Sequence, residues 1–409
     1  MPNPTRFSRR DFLRGAASAS LALGSVSASA GDPPRVRRYA RLGRTGLEVS
    51  DISFGSSRLS GDESLVQRAL ERGVNYFDTA ESYTRGQSEE TLGRALVGHR
   101  ESVFLASKVQ CQERTPRAEL MERLESSLKR LRTDRIEIYF NHAVNDPARL
   151  QNSEWGEFTI RAKEQGKIRF TGMSGHGGLL VPCLDYAIDH DLVDVVLVGY
   201  NFGQDPSFLQ KFTETFDFVA RQPELPRVLA KAKQKDVGVV AMKTLMGGRL
   251  NDLRPFEAGG ATYAQAAFRW TLASPHVDAL IVSMKSLPMI DEYLGGSGWE
   301  PPSAADAELL RRYHAVNSTS QCRQGCGECH AACPHGVEVG EVLRARMYAH
   351  DQGDLALGQT DYAALGAGAA ACTACDGSPC ASACGYGLDI APLTRDAHRL
   401  LSGERTERG

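Results

Sequence analysis

The stretch Asn75–Tyr83, reading NYFDTAESY, decides the fold. Its first four residues carry the aromatic pair Tyr76-Phe77, of high strand propensity, and follow a glycine-bearing helix end, ERG; this predicts a short β-strand ending at Asp78. From Thr79 the chain turns polar. Such a turn fits a loop at the C-terminal mouth of a parallel barrel, where folds of this kind keep their chemistry. Asp78 and Tyr83 are thereby placed beside one cleft. Alone, that pair reads as a cap and an exposed aromatic. Two later strand ends change the reading, because VFLASK ends at Lys108 and IEIYFNH ends at His142. Asp, Tyr, Lys and His converging on one mouth form a set that can move a proton at a carbonyl.

Outward from this stretch the chain alternates strand and helix patterns. RRYARLGRTGLEVS has strand-like flanks around Gly43 to Gly46 and predicts a hairpin. The runs ISFGSS, NYFDTA, VFLASK, IEIYFNH, IRFTGMS, DVVLVGYN, GVVAMKT and ALIVSM then supply eight strand patterns with helical patterns between them. The class implied is α/β, a (β/α)8 TIM barrel spanning residues 31–316. Trp155, Trp270, Cys183 and His190 read as packing or surface residues. Cys111, close to Lys108, can line the mouth but is assigned no role.

At 409 residues the chain exceeds one average domain, so a second is expected. The 48 basic and 50 acidic residues are interspersed, which leaves no broad basic face for nucleic acid. Residues 1–30 read as an export address: SRRDFLRG, with Arg9-Arg10, precedes a weakly apolar run and the small-residue site Ala28-Ser29-Ala30. The paired arginines resemble a twin-arginine signal, which implies the twin-arginine machinery as a partner, export of a folded protein and a periplasmic location. The apolar run is too short and too rich in Ser and Gly to span about 30 Å of hydrocarbon.

GVNYFDTAESY, GQSEETLGRAL, FLASKV and GKIRFTGMS together resemble signatures of the aldo/keto reductase superfamily, from about Arg41 to Leu294. The resemblance implies that the hairpin closes the barrel floor and that Asp78, Tyr83, Lys108 and His142 form the catalytic tetrad. A free phenol, with a pKa of about 10, is a poor base and a modest acid. In the implied scheme Lys108 lowers that pKa, Asp78 holds Lys108 charged, and His142 donates to the substrate oxygen or helps Tyr83 exchange its proton. Hydride then passes to or from a nicotinamide. The resemblance places Gly55, Ser56, Ser174, Tyr200, Lys243, Leu245, Gly247, Ser283 and Lys285 against an NAD(P) cofactor. The sequence departs from the family at Gly175 (Asn), Leu197 (Gln), Met242 (a stacking aromatic), Met289 (Arg) and Tyr293 (Asn). Without that Arg the choice between NADP and NAD stays open.

Residues 317–409 form the expected second domain, small and mainly helical. Eight of the ten cysteines fall there, as Cys322, Cys326, Cys329 and Cys333, and as Cys372, Cys375, Cys380 and Cys384. The first quartet, followed by Pro334, is close to the bacterial ferredoxin run. Two 4Fe-4S clusters are the leading expectation, with tetrahedral zinc and disulfides as alternatives. The ferredoxin resemblance implies a crossed pairing, with Cys322, Cys326, Cys329 and Cys384 on one cluster and Cys372, Cys375, Cys380 and Cys333 on the other. The sequence therefore suggests an exported oxidoreductase interconverting an aldehyde or ketone, including a sugar-derived one, with an alcohol. Its clusters would relay electrons to an electron-transfer partner. The alternative is a non-catalytic redox-sensing or binding module with a structural iron-sulfur or zinc domain.

Overall fold

The computed structural model describes residues 32–203, 224–246, 261–298, 300–317, 326–350, 353–376 and 378–403, with Gln222, Glu257 and Cys322. The export signal, Gly247 and Gly248, nearly all of the 203–223 loop and the charged C-terminal end lie outside the described residues. Two short strands, β1 (Tyr39–Arg41) and β2 (Glu48–Ser50), pair antiparallel as the hairpin. Eight parallel strands then close a barrel: β3 (Ile52–Gly55), β4 (Tyr76–Asp78), β5 (Phe104–Val109), β6 (Ile136–Asn141), β7 (Ile168–Gly175), β8 (Val195–Gly199), β9 (Gly238–Met242) and β10 (Ala279–Ser283). The order runs from β3 to β10 around the ring, with β10 returning to β3. All eight expected strands are present.

The strands read as apolar runs because both of their faces are covered. Tyr76, Ile138, Phe140, Val195, Leu197, Val240 and Ile281 fill the barrel interior, and Leu42, Leu47 and Val49 of the hairpin plug its floor. A Cβ on Gly43, whose φ is +47°, would sit 2.3 Å from the backbone nitrogen of Gly238, so only glycine lets the hairpin lie against the foot of β9. Residues alternating with these point outward and meet the surrounding helices, for example Phe77, Tyr139 and Val198.

Helices Val339–His350, Leu355–Ala363 and Ile390–Leu401 build a separate apolar core from Val342, Leu343, Tyr362, Ile390 and Leu401. This cysteine-bearing segment does not stand apart: residues 34–409 form one compact unit. It docks on the barrel mouth through Arg58–Asp354 at 3.1 Å and His176–Glu341 at 3.1 Å, and Lys243 Nζ donates to the Tyr348 hydroxyl. The backbones also touch: a Cβ on Gly178 would stand 2.7 Å from the Cα of Gly327. The segment therefore forms a roof over the strand ends. Among the described residues no helix is long and apolar enough to cross a membrane.

Candidate active site

Asp78 ends β4, Lys108 lies near the end of β5, and His142 follows β6 directly. Lys108 Nζ donates to Asp78 Oδ1, to the Thr79 carbonyl at 2.6 Å and to the Tyr83 hydroxyl at 3.5 Å. The ammonium also lies 4.8 Å from the Tyr83 ring centroid. The His142 ring stands edge-on to Tyr83, with centroids 5.7 Å apart and planes at 78°. All four side chains line one chamber of about 1070 Å³ between the barrel mouth and the roof.

Asp78 and Lys108 are each 1% exposed. Burial pushes the carboxyl up and the ammonium down, each toward its neutral form, and the partner's charge opposes the shift without reversing it. Tyr83 corrects an expectation. Burial raises its phenol well above the usual value, Asp78, Asp361 and Tyr348 push the same way, and Arg344 opposes them. The nearby ammonium does not reverse this sum, so Tyr83 stays protonated through the neutral range. His142 moves the other way: burial, then the charges of Lys108 and its neighbours, hold its imidazole well below the ordinary value and therefore neutral.

These directions predict a pH profile. Carbonyl reduction, which needs a protonated phenol and an uncharged imidazole, should show no loss from either group between about pH 6.5 and pH 10, the ordinary values of the two side chains. Steady-state rates across that range check it; an inflection near pH 7 that disappears in His142→Ala would overturn the assignment of a neutral His142.

One residue that the sequence did not single out supports this constellation. Arg149, in the short 3-10 helix Pro147–Gln151 after β6, donates to the carbonyls of Cys111, Ala143 and His142 at 2.7–2.9 Å and to Asn141 Oδ1 at 3.1 Å. It fixes the backbone on which His142 sits, including Ala143 at φ +51°. An Arg in DPARLQ carries no sequence mark of burial.

Comparison with known proteins adds to the geometry. A family model described as the aldo/keto reductase family matches residues 52–259. The uncharacterized oxidoreductase YqkF of Bacillus subtilis is 31% identical over 319 residues, covering 72% of this chain and 99% of that protein. The chain belongs to the aldo/keto reductase family. L-galactose dehydrogenase of Arabidopsis thaliana is 25% identical over 314 residues, covering 67% of this chain and 92% of its own. An aldo-keto reductase from Klebsiella pneumoniae, solved in complex with NADPH, matches with a TM-score of 0.53 at 25% identity, over 68% of this chain and 95% of that one.

Of the residues expected to meet the reductase cofactor, Gly55, Ser174, Lys243, Leu245, Ser283 and Lys285 line the chamber. Two do not. Ser56 is buried behind β3, bonded to the Asp78 carbonyl at 2.8 Å and to Ser88; Ser57 faces the chamber instead and bonds Ser283 at 2.7 Å. Tyr200 is 4% exposed and packs outward, 5.3 Å from the Trp270 ring. Ser174 accepts from the Ala143 amide at 3.0 Å, and Lys243 is engaged with Tyr348. Thr244 Oγ1 and His142 Nδ1 are buried, with no hydrogen bond among the described residues. Ser283 and Lys285, which line the chamber, are groups that would hold a dinucleotide's phosphates.

Among the described residues no three or more Cys, His, Asp or Glu side chains converge as a metal site requires, and all ten cysteines are free of disulfides. The thiols do gather in two neighbourhoods. Burial raises Cys322, and the nearby Cys326, Cys329 and Cys384 raise it further; Cys333, Cys372, Cys375 and Cys380 line one small cavity. Cys111 and Cys183 are buried in the outer core of the barrel.

Proposed function

We propose that the chain is an exported NAD(P)-dependent oxidoreductase interconverting an aldehyde or ketone, including a sugar-derived one, with its alcohol. One observation carries this reading: Lys108 is set between Asp78 and the Tyr83 hydroxyl, with the His142 ring edge-on to the Tyr83 ring, in a chamber open to a ligand. The nicotinamide, when bound, supplies or accepts the hydride. Tyr83, protonated, gives its proton to the carbonyl oxygen as the alcohol forms, and Lys108 stabilises the phenolate left behind. Neutral His142 hydrogen-bonds the same oxygen and orients it. In oxidation the phenolate takes the hydroxyl proton back. A relative solved with NADPH and one named L-galactose dehydrogenase support the cofactor and a polyol-type substrate.

The proposal extends to the roof. Thiols crowded in apolar surroundings, each disfavouring ionisation of the next, are suited to a cationic centre that compensates their charge. Cys322, Cys326, Cys329 and Cys384 would hold one iron-sulfur cluster, and Cys333, Cys372, Cys375 and Cys380 the other, passing electrons to an acceptor outside the cytoplasm. A second reading, a sensing module without turnover, draws on the Lys243–Tyr348 contact, which occupies a cation expected to meet the cofactor.

The mature protein isolated from periplasm should release NAD(P) on denaturation and contain iron and acid-labile sulfide. Protein without nucleotide and without affinity for NADPH overturns the cofactor assignment. Zinc without sulfide overturns the clusters.

A further inference from the structure

The glycine-rich run after β7 carries His176, which none of the foregoing steps uses. Its side chain is 11% exposed and lines the same chamber as Tyr83 and His142. Nδ1 lies 3.1 Å from Oε1 of Glu341, on the roof helix Val339–His350. Glu341 is itself clamped: Arg344 holds its Oε2 through Nε at 2.7 Å and Nη2 at 2.6 Å, and Asp361 holds Arg344 at 2.6 Å. Burial pushes the Glu341 carboxyl up, but the charge of Arg344 and the hydrogen bonds from Arg344 and His176 outweigh it and hold the carboxyl far below the usual carboxylate range, so it is an acceptor only. The Nδ1 of His176 must then be the donor.

That fixes the tautomer. Burial, Arg344 and Lys243 hold the imidazole below its ordinary value despite the favourable charge of Glu341, so the ring is neutral and Nε2 carries a lone pair. Among the described residues Nε2 has no protein hydrogen bond. His176 and His142 both line this chamber. Two functional centres then face a ligand: the Tyr83–His142 pair, which meets the reacting oxygen, and an oriented acceptor that meets something with a proton to donate.

We propose that His176 is a specificity-determining residue, held by Glu341 and Arg344, whose Nε2 accepts a hydrogen bond from a second hydroxyl of the substrate, close to the reacting carbonyl. The substrate class is then a hydroxyaldehyde or hydroxyketone and not a simple carbonyl compound. This rests on the oxidoreductase reading above. Glu341 and Arg344 act as positioning residues: they come from the roof, so the barrel alone lacks this selectivity.

The test compares NADPH-dependent reduction of glyceraldehyde and propanal, which differ in their hydroxyl groups, by the full-length protein. The parent should favour glyceraldehyde, and His176→Leu should lower the glyceraldehyde-to-propanal ratio of kcat/KM by about tenfold or more, the usual effect of losing one well-placed hydrogen bond. The propanal rate should be unchanged. Glu341→Gln, which frees the imidazole to adopt either tautomer, should lower the ratio by less. An unchanged ratio, or equal loss on both aldehydes, overturns the proposal. A parent that reduces neither aldehyde overturns the oxidoreductase reading alone, because the His176 assignment has its own readout. In the 15N spectrum His176 should be protonated at Nδ1, and added glycerol should shift its Nε2 signal. The opposite tautomer, or an Nε2 signal indifferent to glycerol, overturns it whatever the turnover.

Discussion

A Tyr83→Phe protein should lose turnover by about 10²- to 10⁴-fold, the span of a positioned general acid, while its KM for the carbonyl and its affinity for NADPH stay close to the parent's. The asymmetry follows from where the hydroxyl sits. It is 3.5 Å from Lys108 Nζ and contributes a proton that is needed only as the carbonyl oxygen gains charge. The ring remains in the phenylalanine protein, so the edge-on contact with His142 and the chamber wall survive. Single-turnover reduction with pre-bound NADPH measures the step directly. A variant as fast as its parent would remove Tyr83 from the mechanism and leave His142 as the donor.

The barrel was legible because strands buried on both faces leave continuous apolar runs, and its site was legible through a period of two. Side chains alternate along a strand, so those sharing parity with an interior residue point to the mouth. Tyr76 faces inward and so does Asp78; Ala106 predicts Lys108; Ile138 and Phe140 predict His142; Ile281 predicts Ser283. The same rule exposes the two misplaced cofactor residues. Ser56 has the parity of Phe54, and Tyr200 that of Val198, and both of those pack outward against helices. Asn75 was read as strand, but its side chain bonds Ser50 N and Glu48 O, tying the hairpin beneath the barrel.

Less legible was anything that depends on the roof. The upward shift of Tyr83 comes partly from Tyr348 and Asp361, brought over the mouth from far along the chain, and no local pattern announces that meeting. GMSGHGG carries Gly175 where the family resemblance implies Asn. In the fold its glycines permit close approach: a Cβ on Gly177 would meet Asn145 at 2.2 Å, and one on Gly178 would meet Gly327. The run that departs from the family pattern at Gly175 also carries the backbone contact with the roof, at Gly178, and the histidine that meets Glu341.

The ion pair beneath Tyr83 should show the largest stability effects. Lys108→Met leaves the Asp78 carboxyl enclosed without its cation, and Asp78→Asn leaves the ammonium with only the Thr79 carbonyl and the phenol; each should cost about 3–5 kcal/mol. The double variant should recover much of that loss, because no uncompensated charge remains, yet should stay inactive. The pH dependence separates the singles. Burial already raises Asp78, and removing Lys108 deletes what lowers it, so in Lys108→Met the folded carboxyl holds a proton that the unfolded chain sheds near its ordinary value of about 3.9. Stability of that variant should therefore fall as pH rises from about 4 through the folded value, a slope that Asp78→Asn cannot share. Denaturant unfolding of all four proteins at pH 5 and pH 8 gives the cycle and its sign. If the double variant were destabilised by the sum of the singles, the two side chains would be acting independently, and the charge coupling on which Tyr83 depends would not exist.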